Sequence, residues 1–203
     1  MRSRRTALGL IFVVALGSLP AAAEVFASKQ EALAAAFPTA DRVEHRSEVL
    51  DDSQAEQIEQ SAHSALESRL VTLYTAWKGE RVEGYAFIDI HTVRTQPEAF
   101  LVVLSPEGQV RSVRMLAFYE PPEYRPPNRW LKQFRALSVE WLQPDRTASA
   151  EIHGIAGSTL SARAVTSGVR RSLAFYELLV GSSRSGVVVS ESTSQNVVGG
   201  GGR

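Results

Sequence analysis

The chain has 203 residues, of which 44% are hydrophobic and 22% are charged. This composition is typical of a globular protein with a substantial core, and it excludes a chain that is disordered throughout. The 22 basic residues balance the 22 acidic ones, so no overall positive charge favours the binding of nucleic acid. The absence of cysteine excludes disulfides, thiol catalysis, iron–sulfur clusters and cysteine-ligated zinc.

The first 23 residues have the pattern of a secretory signal peptide. Arginines at positions 2, 4 and 5 precede an apolar stretch over residues 8–19, and alanines at positions 21–23 provide the small residues of a cleavage site. Because this stretch is short for a helix that spans a bilayer, we expect cleavage after Ala23. The mature protein is therefore expected to be periplasmic or secreted, with an uncleaved membrane anchor as the alternative.

Residues 24–180 are expected to form one α+β domain, an antiparallel sheet with flanking helices. The first helix, over residues 31–37, should end before Pro38. The second, over residues 54–70, has apolar residues at helical spacing after a run of polar capping residues. Alternating apolar and polar residues then predict four strands, over residues 69–77, 81–93, 100–104 and 109–118.

The second half of the domain starts with a proline-rich loop over residues 120–127, followed by a short helical turn at residues 130–134. A last strand is predicted at residues 149–152, and an amphipathic helix over residues 162–180 ends the domain. The Ser- and Gly-rich residues 181–203 are expected to form a flexible, disordered tail.

The turn at residues 153–161, just before the last helix, carries the most informative chemistry. Gly157 allows an anion to approach the backbone closely, and the hydroxyls of Ser158, Thr159 and Ser161 stand at the start of the helix. Unpaired backbone amides and the helix dipole make such a start favourable for a phosphate. Ser and Thr are also the preferred N-caps of any helix, so simple capping is the alternative.

The order of residues in this turn resembles the flavinylation motif of the FMN-binding domain family. That family includes the flavin-carrying subunits of the Rnf and Na+-translocating NADH:quinone oxidoreductase complexes, and its pattern reads Asp-x-x-(Ser/Thr)-Gly-Ala-Thr-x-(Thr/Ser). Gly157 and Thr159 match the pattern, and Ser161 occupies the position of the last hydroxyl. The departures are His153 for the aspartate, Ala156 for the first hydroxyl and Ser158 for the alanine.

The resemblance covers most of residues 31–180 and implies a cofactor. It implies FMN joined to the Ser161 hydroxyl by a phosphoester, which a flavin transferase installs from FAD. It also implies that the loop after the last hairpin lies near the flavin ring. The residues expected at the cofactor are Ser161 as covalent acceptor, Gly157, Ser158, Thr159 and Leu160 around the phosphate, and Tyr119 and Glu120 at the ring.

We therefore expect an exported electron-transfer flavoprotein that relays electrons between redox partner proteins of an extracytoplasmic or membrane electron-transfer chain. No catalytic residue is expected, because no Gly-x-Ser-x-Gly elbow surrounds Ser161. No metal is expected either, because the four histidines lack metal-ligand spacing. The alternative is a non-redox exported binding or scaffold module of the same fold, in which Ser161 only caps a helix.

Overall fold

The computed structural model describes residues 24–143 and 152–181. Its centre is an antiparallel sheet of five long strands with a two-residue strand at one edge, in the order β1-β6-β5-β4-β3-β2. The elements are β1 (Glu24–Val25), α1 (Lys29–Ala36), β2 (Arg42–Val49), α2 (Asp52–Ala62), β3 (Leu70–Lys78), β4 (Arg81–Val93), β5 (Gln96–Leu104), β6 (Val110–Phe118), α3 (Asn128–Leu131) and α4 (Thr159–Tyr176). The α+β fold class, an antiparallel sheet with flanking helices, is confirmed. The expected signal peptide and the expected tail from residue 182 onwards lie outside the described residues.

The sheet separates two layers of apolar packing. On one face, α1 contributes Leu33, which packs in a cluster with Tyr74 of β3 and Leu101 of β5. On the other face, α2, α3 and α4 cover a larger cluster that includes Phe100 and Val102 of β5. Because successive strand residues point to opposite faces, neighbouring residues of β5 serve different layers. The layer with three helices contains the candidate site.

All four predicted strands are present as β3 to β6, but the edge strand β2 was not predicted. It pairs with β3 along its whole length, from Arg42 opposite Trp77 to Val49 opposite Leu70. Its side chains are mostly exposed, and no apolar alternation marks them. An edge strand of this kind depends on backbone pairing with its neighbour, so a search for hydrophobic periodicity misses it.

The helix boundaries differ from the predicted ones in informative ways. The predicted helix over residues 54–70 was too long, because α2 ends at Ala62 and the next residue, His63, takes a left-handed conformation with φ of 50°. The chain then returns to the sheet, where the Leu50 amide donates to the Arg69 carbonyl. The last helix begins at Thr159, three residues earlier than predicted, and its final turn, Glu177–Gly181, is a π-helix.

In the second half of the domain, the predicted last strand and the predicted helical turn have different outcomes. Of the predicted last strand, residues 149–151 lie outside the described residues, and Ile152 is not in a strand. The helical turn predicted at residues 130–134 is present as α3 and a following 3-10 turn, Lys132–Phe134. Among the described helices, none combines the length and the apolar character that crossing a membrane requires.

Candidate functional site

The start of α4 leaves its first backbone amides without a side-chain cap. Ser158 occupies the N-cap position, but its Oγ donates to the Glu123 carbonyl at 3.1 Å and makes no capping bond. Gly157, just before it, has φ of 81°, a conformation that favours glycine. A Cβ at Gly157 would meet no atom of the described residues within 4 Å, so this side of the turn is open within the described part of the chain. An open turn beside uncapped helix amides is a favourable place for an anion.

The turn before α4 is fixed to α3 through its backbone. The His153 carbonyl accepts from Trp130 Nε1 at 2.5 Å, and the His153 amide donates to Gln133 Oε1 at 3.0 Å. Trp130 is itself buried and contacts Phe134 edge to face. The His153 side chain is exposed and makes neither of these bonds. Histidine in place of the aspartate of the motif is therefore compatible with this docking.

The hydroxyl side chains at the start of α4 point in different directions. Thr159 and Leu160 are exposed, whereas the Ser161 residue is only 2% exposed. Ser161 lies on the same helix face as Val165 and Gly168, the face that packs on the sheet. In the conformation described, the expected FMN acceptor is therefore turned inwards, and Thr159 is the hydroxyl residue at the surface.

The loop expected near the flavin ring does reach the start of α4, through the bond between Ser158 and Glu123. Within that loop, Glu120 is only 8% exposed. Its Oε1 accepts from the amides of Thr95 and Gln96 at 3.3 and 3.2 Å, so it holds the turn between β4 and β5. Tyr119, next to it, is half-buried.

A buried polar network, which was not predicted, lies beneath α4. His91 Nδ1 is 2.7 Å from Asp89 Oδ1, and His91 Nε2 is 2.7 Å from Glu98 Oε1. Arg171 of α4 contacts both oxygens of Asp89 at 2.8 Å, and it also donates to the Ser64 hydroxyl at 2.6 Å. This network ties the last helix to β4, to β5 and to the end of α2.

The pKa values of His91 and Glu98 in this network are both raised above their usual values. Burial acts to lower the pKa of His91, but hydrogen bonds and attraction from Asp89 and Glu98 outweigh it and raise the pKa to about 9. Burial raises the pKa of Glu98, against the opposing effect of His91. Glu98 is fully buried, and its Oε2 has no hydrogen-bond partner among the described residues. His91 is thus held as a cation between two carboxyl groups.

The sequence contained a signal for this network. Asp89 and His91 follow Phe87 at every second position of β4, so they share the face that Phe87 buries. Polar residues in the apolar phase of a strand indicate buried partners. The approach of α4 depends on Gly168, since a Cβ there would lie 2.3 Å from Phe100 Cζ and 2.8 Å from Asp89 Cγ.

Neither a metal site nor a similarity to known proteins assigns a role to the residues described above. Within residues 24–143 and 152–181, no group of three or more His, Asp or Glu side chains is placed to hold a metal ion. No family model matches the chain, and no curated protein matches it.

Proposed function

We propose that the protein is an exported electron-transfer flavoprotein that carries FMN through a phosphoester to the Ser161 hydroxyl. The observation that carries this proposal is the uncapped start of α4, where the Ser158 hydroxyl turns to Glu123 instead of to the helix amides. It coincides with the segment that resembles the flavinylation motif, and Gly157 leaves the adjacent side open. This combination fits a phosphate group held at the head of the helix.

Different residues around the turn would bind the phosphate and the ring of the cofactor. The amides of Thr159 and Leu160 would donate to the phosphate, with the positive end of the α4 dipole behind them. Tyr119 is the proposed contact of the flavin ring, and Glu120 fixes the backbone beside it through the turn between β4 and β5. FMN, when bound, supplies the redox chemistry, and the protein adjusts its potential by packing and hydrogen bonding.

Attachment at Ser161 requires a change at the start of α4, because a residue that is 2% exposed cannot enter the active site of a transferase. We infer that the flavin transferase acts on a conformer in which the first turn of α4 has separated from the proline-rich loop. The bond from Ser158 to Glu123 is one contact that must break in that conformer. Opening a single turn at the end of a helix requires much less free energy than global unfolding.

The proposed setting follows from the N-terminal pattern. Export by a cleaved signal peptide would bring the chain to the periplasm or the exterior, with an uncleaved anchor as the other route to the same side of the membrane. There it would exchange electrons with partner proteins of a redox chain. A covalent link retains a cofactor that cannot be resupplied easily outside the cytoplasm.

Co-expression with a flavin transferase tests this proposal. The full chain is run on a denaturing gel and examined for flavin fluorescence in the protein band. We expect fluorescence from the wild type and from Ser167→Ala, a hydroxyl deletion elsewhere on the same helix, but not from Ser161→Ala. A colourless wild-type band with an unmodified intact mass would contradict the proposal.

The alternative function is a non-redox exported binding or scaffold module of the same fold. The burial of Ser161 is the observation that favours it, because a buried serine that packs against the sheet has a structural role without any cofactor. Fluorescence that persists in Ser161→Ala but disappears in Thr159→Ala would instead move the attachment to the exposed hydroxyl. The three outcomes are distinct in the same experiment.

A further inference from the structure

An open groove runs along the outer edge of β6, beside the end of the proline-rich loop. Its volume is about 720 Å³, within the usual range for binding clefts. Strand β6 forms one wall, and the segment over residues 125–135 forms the other. Phe26 and Ala27, which follow β1, close one end.

The strand edge in this groove lacks a neighbour among the described residues. At one end, the Val110 amide and carbonyl pair with Leu137 and Ala136, each at 2.8 Å. At the other end, the Leu116 carbonyl accepts from the Phe26 amide, and β1 pairs only with the last two residues of β6. No described strand pairs with the outer edge over residues 111–115. This leaves roughly 17 Å of strand edge, room for about five extended residues.

The groove is strongly basic although the whole chain has a formal net charge of zero. Its lining includes Arg114, Arg125, Lys132 and Arg135, and none of its lining residues is an aspartate or glutamate. The side chains of Arg114, Lys132 and Arg135 make no ion pair with a described residue, whereas Arg125 lies over the ring of Phe26, 4.7 Å from its centre. Several cations that lack an acidic partner among the described residues, here Arg114, Lys132 and Arg135, favour an acidic ligand.

The cations flank the free edge from both faces of the sheet. Arg114 pairs in register with Leu101, which packs in the α1 layer, so its side chain lies on that face. Lys132 and Arg135 follow α3, which covers the opposite face. Buried Met115 contributes an apolar floor between them. A strand added here would direct alternate side chains towards cations on each face.

We propose that this groove binds an extended, acidic segment of a partner protein, which adds to the free edge of β6. Its backbone would pair with residues 111–115, and its carboxylates would contact Arg114 on one face and Lys132 and Arg135 on the other. Backbone pairing supplies affinity in such an arrangement, and the charges supply selectivity and a high association rate. The inference does not depend on a flavin, and it assigns this face to partner recognition.

The test uses the mature full chain and labelled five-residue peptides with glutamates at the first, second, fourth and fifth positions and valine at the third, so that carboxylates point to both faces of the added strand. Binding is measured by fluorescence anisotropy at low and at physiological salt. We expect the acidic peptide to bind, a matched valine–lysine peptide not to bind, and affinity to fall as salt rises. The double variant Arg114→Glu/Lys132→Glu should weaken binding at least about tenfold, the sum expected for two reversed ion pairs.

Four controls separate strand pairing in the groove from charge attraction alone and from the proposed flavin site. Arg81→Glu, the same change at an exposed residue outside the groove, should leave the affinity unchanged. An acidic peptide with N-methylated amides keeps its charge but cannot pair with a strand, so it should bind far more weakly.

Equal binding by that peptide or by free glutarate, or equal loss in Arg81→Glu, would overturn the proposal. Ser161→Ala, which cannot carry the proposed flavin link, should bind the peptide normally, so failure here is separate from failure of the proposed function.

Discussion

Replacing His91 with glutamine should destabilise the protein strongly, because His91 carries the positive charge between two buried carboxyl groups. Its ring nitrogens lie 2.7 Å from Asp89 and 2.7 Å from Glu98, and the residue is 5% exposed. Glutamine bears no charge and cannot span both contacts. Glu98, whose Oε2 already lacks a partner among the described residues, would lose its cationic partner. Breaking a buried pair in this way costs about 3–5 kcal/mol of unfolding free energy.

The pKa of His91 gives an independent magnitude and a pH dependence. A rise from 6.5 to about 9 corresponds to about 3 kcal/mol of stability. Because the folded pKa is raised, this contribution is complete below pH 6.5 and is lost as the pH rises through about 9. The raised pKa of Glu98 acts in the same direction, since deprotonation of its buried carboxyl group also opposes folding. Arg171 donates to Asp89 in the same network, and repulsion from Glu120 is a further cause of the raised pKa of Glu98.

Chemical denaturation monitored by tryptophan fluorescence, repeated from pH 6 to pH 10, measures both effects. The wild type should lose stability across this range, and His91→Gln should be less stable at pH 6 with a flatter profile. His45→Gln, at an exposed histidine of β2, is the matched control and should follow the wild type. If His91→Gln stays within about 0.5 kcal/mol of that control at pH 6, the proposed charge network has no energetic weight.

Three further predictions concern α4 and its start. Gly168→Ala should cost about 2 kcal/mol in denaturant unfolding, because its Cβ would lie 2.3 Å from buried Phe100, and an unchanged midpoint would refute this close packing. Ser158→Ala should speed flavin attachment in a transferase time course, since it removes the bond to the proline-rich loop, and a slower rate would contradict the opening step. His153→Asp with Ala156→Ser restores two of the three positions at which the chain departs from the family pattern and should increase the modified fraction by mass spectrometry, whereas no increase would separate this chain from that pattern.

The sheet could be predicted from the sequence where burial follows strand alternation. β4 and β5 bury large apolar residues such as Phe87 and Phe100 on one face, and their periodicity is clear. β2 has no such pattern and depends on pairing with β3, from which α2 separates it in the chain, and sequence periodicity does not encode such pairing. The early end of α2, before His63, likewise depends on the return of the chain to the sheet.

The turn before α4 was predictable in position, but the orientation of its side chains was not. Glycine and hydroxyl residues indicated a turn before a helix, and the structure places the turn there with Gly157 at positive φ. Which hydroxyl faces outwards depends on the residue at which α4 begins and on its packing. A start at Thr159 places Ser161 on the buried stripe of the helix, and no local pattern fixed that register. The bonds from Glu120 to the turn between β4 and β5 could not be predicted either, because they join residues that are far apart in the sequence.

Peptide mapping of the protein purified from its native host tests the central claim most directly. After digestion, tandem mass spectrometry should find the peptide that contains the start of α4 increased by the mass of FMN less one water, with the fragment ions placing it on Ser161. An unmodified peptide recovered in full yield, with no flavin released from the protein, would contradict the assignment of this chain as a covalent flavoprotein.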